Sequence, residues 1–228
     1  MSASAPPRAA EIDLGALADN LRAVEPEILD LRADAYGHGL ERVLRTAADI
    51  GRVPERVILS PEGPGGLPAD LLRGLRTASA EEAAAEAVAP GAVLGTDGAA
   101  APVMSLRAEI IMRKPIGAGE GVSYGFTYRP ERDTVLALVA IGYSQGVARR
   151  ASNRCDAVAA GERCRIAGAI SMDLLSVDIR DLDAQVGDRV ELFGPGSPVA
   201  GWSAATGIPA LALTSRIQSS VPRIEVRR

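Results

Sequence analysis

Thr134-Val-Leu-Ala-Leu-Val-Ala-Ile141 is the stretch on which the fold turns. It is apolar after its first residue, half of it is β-branched, and it is short, so it predicts a strand rather than a helix. Working outward, similar runs lie at Ile110–Met112, Leu174–Ile179 and Arg189–Phe193, set apart by Gly117-Ala-Gly-Glu120 and Val186-Gly-Asp188. Many short strands at turn spacing predict a mainly β domain beyond Pro102, a barrel or a sandwich.

Upstream the pattern changes period. Ile12, Leu14, Leu17, Leu21 and Val24 recur at helical spacing, and Asp13 is placed to cap that helix. Ile28 to Gly39 reads as a strand and a loop ending in Tyr36-Gly-His-Gly39, followed by the helical pattern of Val43, Leu44, Ala47 and Ile50. A Pro/Gly-rich stretch, Pro61–Pro68, precedes two expected helices at Ala69–Leu75 and Ala80–Val88. A last helix is expected across Ser203–Thr206, with Leu211–Ile217 left without a type. The class is α+β.

The composition narrows the functions. With 228 residues, 47% hydrophobic and 24% charged, the chain has the profile of a soluble globular protein. A net charge of -4 with both signs mixed provides no basic patch for nucleic acid or an anionic membrane. One histidine, His38, and two cysteines, Cys155 and Cys164, fall short of a four-ligand zinc centre, so no metal is expected. No apolar run approaches the roughly 20 residues of a membrane span, and Met1–Ala10 does not read as a secretory signal. The cytoplasm is the expected compartment. Lys114 is the only lysine, so any chemistry that needs a side-chain amine has one candidate.

Taken singly, the notable residues have ordinary readings. In Gly121-Val-Ser-Tyr-Gly-Phe-Thr-Tyr128, Tyr124 and Tyr128 read as interior strand aromatics, although a tyrosine beside glycine also admits close approach by a ligand. Met172-Asp173 reads as a core methionine and a turn aspartate, His38 as a loop histidine donating to backbone, and Glu81-Glu82 as a solvated helix face.

In order and together, the motifs resemble one family. Arg32-Ala-Asp-Ala-Tyr-Gly-His-Gly39 resembles the cofactor-binding signature of alanine racemases, and Glu11-Ile-Asp-Leu-Gly-Ala-Leu-Ala-Asp-Asn20 the stretch before it. From Pro102 the likeness is nearly continuous, through Pro102-Val-Met-Ser-Leu106, Gly119-Glu-Gly-Val-Ser-Tyr-Gly125, Ile141-Gly-Tyr143, Ser171-Met-Asp173, Val177-Asp178, Gly187-Asp188 and Val221-Pro-Arg223. The resemblance implies a pyridoxal phosphate (PLP) enzyme that interconverts L- and D-alanine, built from an N-terminal α/β barrel and a C-terminal β domain and working as a dimer with composite sites. It implies Tyr124 as the catalytic tyrosine delivered to the partner, Met172, Tyr143 and Asp173 as lining the substrate site, and Tyr36 beside the cofactor phosphate. Because the reaction plane has two faces, a proton acceptor is needed on each.

The chain departs from that pattern in two ways. Arg32 stands where the family's Schiff-base lysine belongs, and a guanidinium cannot form the aldimine that a neutral amine forms. Lys114 lies in a matched strand of the β domain and is expected to be structural. A full (β/α)8 barrel takes about 250 residues, so residues 1–98 are expected to hold a truncated remnant of it and residues 99–228 the β domain. Asp30 sits where a parallel strand calls for an apolar residue, and Pro90–Gly95 reads as the end of the last barrel strand. The expected function is therefore an alanine-racemase-like protein impaired or inactive alone, and the alternative is an interaction module that supplies Tyr124 to, or regulates, a full-length racemase. Its expected partners are alanine, if active, and a homodimer or a heterodimer with such a racemase.

Overall fold

The computed structural model describes residues 6–61, 67–73, 75–79 and 89–228. β1 (Arg8–Asp13) leads into α1 (Leu14–Val24), whose N-cap is Asp13: its Oδ1 accepts from the backbone N of Gly15 at 2.9 Å and of Ala16 at 3.2 Å. Such a cap contributes about 1 kcal/mol. Ile12, expected to head the helix, instead belongs to β1 and is fully buried.

β2 (Ile28–Asp30), β3 (Arg56–Ile58) and β4 (Arg76–Thr77) form a small parallel sheet, with α2 (Leu40–Asp49) between the first two strands and α3 (Ala69–Leu72) before the third. The right-handed twist of an amphipathic βαβ unit accounts for this piece: Val43, Leu44 and Ala47 of α2 and Val57 of β3 are all buried in the core. The helix expected at Ala80–Val88, Glu81-Glu82 within it, and part of Pro61–Pro68 lie outside the described residues.

Pro90–Gly95 is corrected. It forms α4 (Pro90–Leu94), not a strand end, because Pro90 starts a helix with its φ already set and Gly95, at φ 65°, closes it in the left-handed region. An added Cβ at Gly95 would meet the Ala101 carbonyl at 1.9 Å, so the next segment can pass only because the side chain is absent.

β5 (Met104–Ile116) is the axis of the β domain. Its first half pairs antiparallel with β1 and with β10 (Arg189–Phe193), and its second half with β6 (Thr134–Val139), the change occurring at an irregularity between Ile110 and Met112. With β7 (Asp156–Ala159), β8 (Glu162–Arg165), β9 (Leu175–Asp178) and β11 (Arg223–Val226), the large sheet runs β11-β1-β5-β10-β7-β8, and β6 branches from β5 to β9. The ladder is open between β8 and β9, where one bridge, Ile166 with Val177, spans the gap. α5 (Val199–Thr206) and α6 (Ala210–Ser215) follow β10.

β1 thus joins the first described segment to the last, since it lies between β5 and β11. The main core runs from Leu17, Leu21 and Leu29 through Leu106, Ile110 and Ile141 to Leu192 and Trp202, and Ile116, Val122, Leu136 and Ala167 form a second, smaller cluster. Each such aliphatic side chain contributes about 1.5–3 kcal/mol on burial. On the same strands Arg107 reaches Glu11 at 3.0 Å and Glu191 at 2.8 Å, and Arg228 also meets Glu11, so a charge ladder crosses β1, β5 and β10. Among the described residues no helix is long and apolar enough to cross a membrane.

Candidate functional site

The expected site residues fall into two groups, and no hydrogen bond joins them among the described residues. One lies on the β domain. Tyr143 opens a 3-10 turn, Tyr143–Gln145, whose backbone is stitched to the next segment: Tyr143 N donates to the Ser171 carbonyl at 3.0 Å and Ser144 N to that of Met172 at 2.9 Å. Gly142 makes this approach possible, since an added Cβ would meet both carbonyl oxygens at 2.4 Å. Asp173 accepts from Ser144 Oγ at 2.7 Å and Gln145 Nε2 at 2.9 Å, and these hydrogen bonds, Ser144 first, hold its carboxyl below the usual range. Gln145 Oε1 in turn accepts from Gly142 N at 2.7 Å. Ser144 and Gln145, to which the sequence motifs assign no role, are what fix Asp173 in the structure.

Tyr124 sits in the turn Tyr124–Phe126, not in a strand interior, and with Ser123, Ser171 and Leu174 it lines a cavity of about 340 Å³. Ser123, at φ 58°, donates from Oγ to the Ala169 carbonyl at 2.6 Å, which ties this turn to the loop before Met172. Exposure decides its character: Tyr124 is 72% exposed, Phe126 61%, Met172 57% and Tyr143 41%. A core methionine and interior strand tyrosines would be buried, and these are not. Arg149 lies over the Tyr143 ring at 5.3 Å, a cation–π contact. Tyr128 is different: its hydroxyl donates to Asp178 at 2.5 Å, and Asp178 also accepts from Thr134 Oγ1.

The second group lies where β2 ends. Asp30 is buried, and its carboxylate is clasped by Arg32: Nη2 donates to Oδ2 at 2.6 Å, and Nε approaches both oxygens at 3.0 and 3.1 Å. Tyr36 donates its hydroxyl to the same Oδ2 at 2.7 Å. The chain returns to Asp30 because Ala33, Asp34, Ala35 and Tyr36 all hold φ between 51° and 55°, one left-handed turn. Ser60, after β3, receives Ala33 N at 2.9 Å and supports that turn. Burial opposes ionisation of Asp30, but the bonds from Arg32 and Tyr36 outweigh it and its pKa is lowered. Burial, then the Asp30 carboxylate, pushes Tyr36 up to about 12. The same carboxylate raises Arg32, which stays a cation. Asp30 is thus no flaw in a strand; the signal for it was an acid two residues before Arg32 and six before Tyr36.

His38 follows this turn. It is fully buried, its Nδ1 contacts the Ala35 carbonyl at 2.9 Å, and its Nε2 has no hydrogen-bond partner among the described residues. Among the described residues no group of three or more His, Cys, Asp or Glu side chains could hold a metal. Cys155 and Cys164 are buried free thiols, and burial pushes Cys155 up to about 11.

Residues 103–225 match the family model of the alanine racemase C-terminal domain. The chain belongs to the alanine racemase family. A curated alanine racemase of Thermobifida fusca is 43% identical over 127 residues, covering 54% of this chain and 34% of that protein. One of Thiobacillus denitrificans is 34% identical over 214 residues, 93% of this chain and 54% of that protein. The chain therefore spans about a third to about half of the curated relatives it matches. Solved alanine racemases share the fold: that of a D-cycloserine-producing Streptomyces lavendulae gives a TM-score of 0.78 at 21% identity, covering 99% of this chain and 98% of that one. The Bartonella henselae structure, described with covalently bound PLP, gives 0.77 at 18% identity, covering 97% and 100%.

PLP belongs to the family, but a covalent link does not fit the donors around Tyr36. Around Tyr36 the cation is a guanidinium already bound to Asp30, and the single lysine, Lys114, is exposed on β5 opposite Leu136. A guanidinium that remains protonated has no lone pair with which to attack an aldehyde.

Proposed function

We propose that this alanine-racemase-family chain does not racemise alanine by itself, and that its β domain, residues 99–228, presents Tyr124 to a partner that carries a complete PLP site. The observation that carries the first half is the Asp30 clasp on Arg32, at the position where the resemblance puts the Schiff-base lysine. Residues 1–98 then serve as a structural remnant, with Tyr36 turned to Asp30 rather than to a cofactor. The second half rests on the exposure of Tyr124, Phe126, Tyr143 and Met172, with Tyr124 and Ser171 lining one cavity and Tyr143 bonded to the Ser171 carbonyl; large apolar side chains exposed close together mark a contact with another chain. In that assembly Tyr124 would supply a phenol that holds or gives up a proton beside the substrate, Asp173 and Tyr143 would border it, and the partner's PLP would supply the electron sink.

The test is deuterium incorporation at Cα of L-alanine in heavy water. The chain with added PLP is expected to show no exchange beyond PLP alone. Mixed with a complete alanine racemase in which the matching tyrosine is changed to phenylalanine, it is expected to restore exchange, and its Tyr124→Phe variant is not. Exchange by the chain alone that vanishes in Tyr124→Phe would instead establish an independent enzyme.

A further inference from the structure

We propose that Asp30 and Arg32 act as one unit that withdraws the end of β2 from amine chemistry, so that restoring a lysine at position 32 alone does not create an aldehyde-reactive amine there. The proposal deepens the reading above, in that it takes position 32 to be the family's amine position. It rests on geometry: the carboxylate is buried at the strand end, three of its contacts come from one guanidinium, and the left-handed turn carries a phenol to the same oxygen. Strand ends of this kind are where barrel enzymes place their reactive groups. Here that place holds a closed set of an acid, a base and a hydroxyl.

The consequence follows from what an imine requires. An ammonium must first release its proton to solvent; the neutral nitrogen then bonds to the aldehyde carbon and one water leaves. An ammonium facing Asp30 would keep its proton, because an opposite charge within about 4–6 Å favours the charged form by roughly 1–3 pKa units. Each unit lowers the neutral fraction tenfold. The groups that would face such an amine are Asp30 and the Tyr36 hydroxyl, with Ser60 held on Ala33 N. Tyr36, raised to about 12, stays neutral and does not relieve the carboxylate. Removing the charge of Asp30 should therefore be as necessary as supplying the amine.

The experiment uses the full chain with PLP at mild alkaline pH, reduction by borohydride, and peptide mass spectrometry to place the phosphopyridoxyl group. Lys114 is the internal reference, an exposed amine on the same molecule. In Arg32→Lys, labelling at position 32 is expected to fall at least tenfold below labelling at Lys114. In Asp30→Asn/Arg32→Lys it is expected to rise at least tenfold relative to the single variant, with Lys114 unchanged. Asn keeps an acceptor for Tyr36, and a second double variant with Asp30→Leu covers the case in which the amide distorts the turn; thermal melting confirms that each folds. Equal labelling in the single and double variants, high or low, overturns the proposal. The complementation assay reads Tyr124 and not position 32, so the failure of one reading does not imply failure of the other.

Discussion

His38 gives the sharpest test of how the segment after β2 is packed, because it is the only histidine and its imidazole is completely enclosed. Burial disfavours the cation and outweighs the help of the Ala35 and Tyr36 carbonyls, and nearby Arg223 opposes it further; the pKa falls from 6.5 to about 4. At about 1.4 kcal/mol per unit, neutral His38 is worth roughly 3 kcal/mol of stability. The sign is fixed by proton counting. Between pH 6.5 and 4 the unfolded chain binds the proton and the folded chain does not, so stability is complete above about 6.5 and declines as the pH falls toward 4. Urea unfolding at half-unit steps across this window, read from the buried Trp202, should show that decline. A His38→Asn variant keeps a donor for the Ala35 carbonyl but cannot titrate, so its pH slope should be flatter even where its absolute stability is lower. The single imidazole signal in NMR should titrate near 4 in the folded protein. A folded-state titration near 6.5, or equal slopes for the two proteins, would refute the packing argument.

Arg107→Ala removes the cation shared by the mostly buried carboxylates of Glu11 and Glu191 and should cost about 2 kcal/mol or more in urea unfolding, with Glu191 keeping its bond from Gly196 N; a loss under about 0.5 kcal/mol would show that the ladder is incidental. Tyr128→Phe leaves Asp178 with Thr134 and the backbone N of Arg180 and should cost about 1.5–3 kcal/mol, without changing complementation by Tyr124.

The sequence patterns were clearest where burial alone shapes a segment. β6, β9 and β10 are visible as apolar runs because their side chains pack on the core, and α1 because one stripe does so. Ile12 was misread because β1 runs straight into α1, and its last inward residue continues the helical spacing by coincidence. The β7–β8 hairpin leaves little apolar pattern because Glu162, Arg163 and Arg165 face water; its clearest signal is Ala160-Gly161, where both residues take positive φ. The left-handed turn over Ala33–Tyr36 was beyond such reading, since none of its four residues is glycine and a non-glycine at positive φ is held there by its surroundings. Tyr124, Tyr143, Met172 and Asp173 were legible as motifs, but which of them face outward depends on Gly142, Ser144 and Gln145, whose roles are set by the loop they meet.

The two groups of residues are held in different ways. The geometry of Tyr143, Met172 and Asp173 is secured within the β domain: the Gly142 approach, the Ser144 and Gln145 bonds to Asp173, and the Ser123 bond to Ala169 draw on nothing from β2 or its turn. At β2, Asp30, Arg32, Tyr36 and Ser60 bond within the small parallel sheet and its turn, while Gly37, just after that turn, lies against the Thr214 carbonyl of α6 and accepts from Arg223 Nε at 3.3 Å. An aspartate alone at that strand end would be a buried charge with the Tyr36 hydroxyl but no cation, and an arginine alone would lose its anchor, so the two residues work as a pair. Groups that share no partner contribute additively to stability. Substitutions confined to Asp30 and Arg32 are therefore expected to leave the bonds that hold Tyr143 and Asp173 in place.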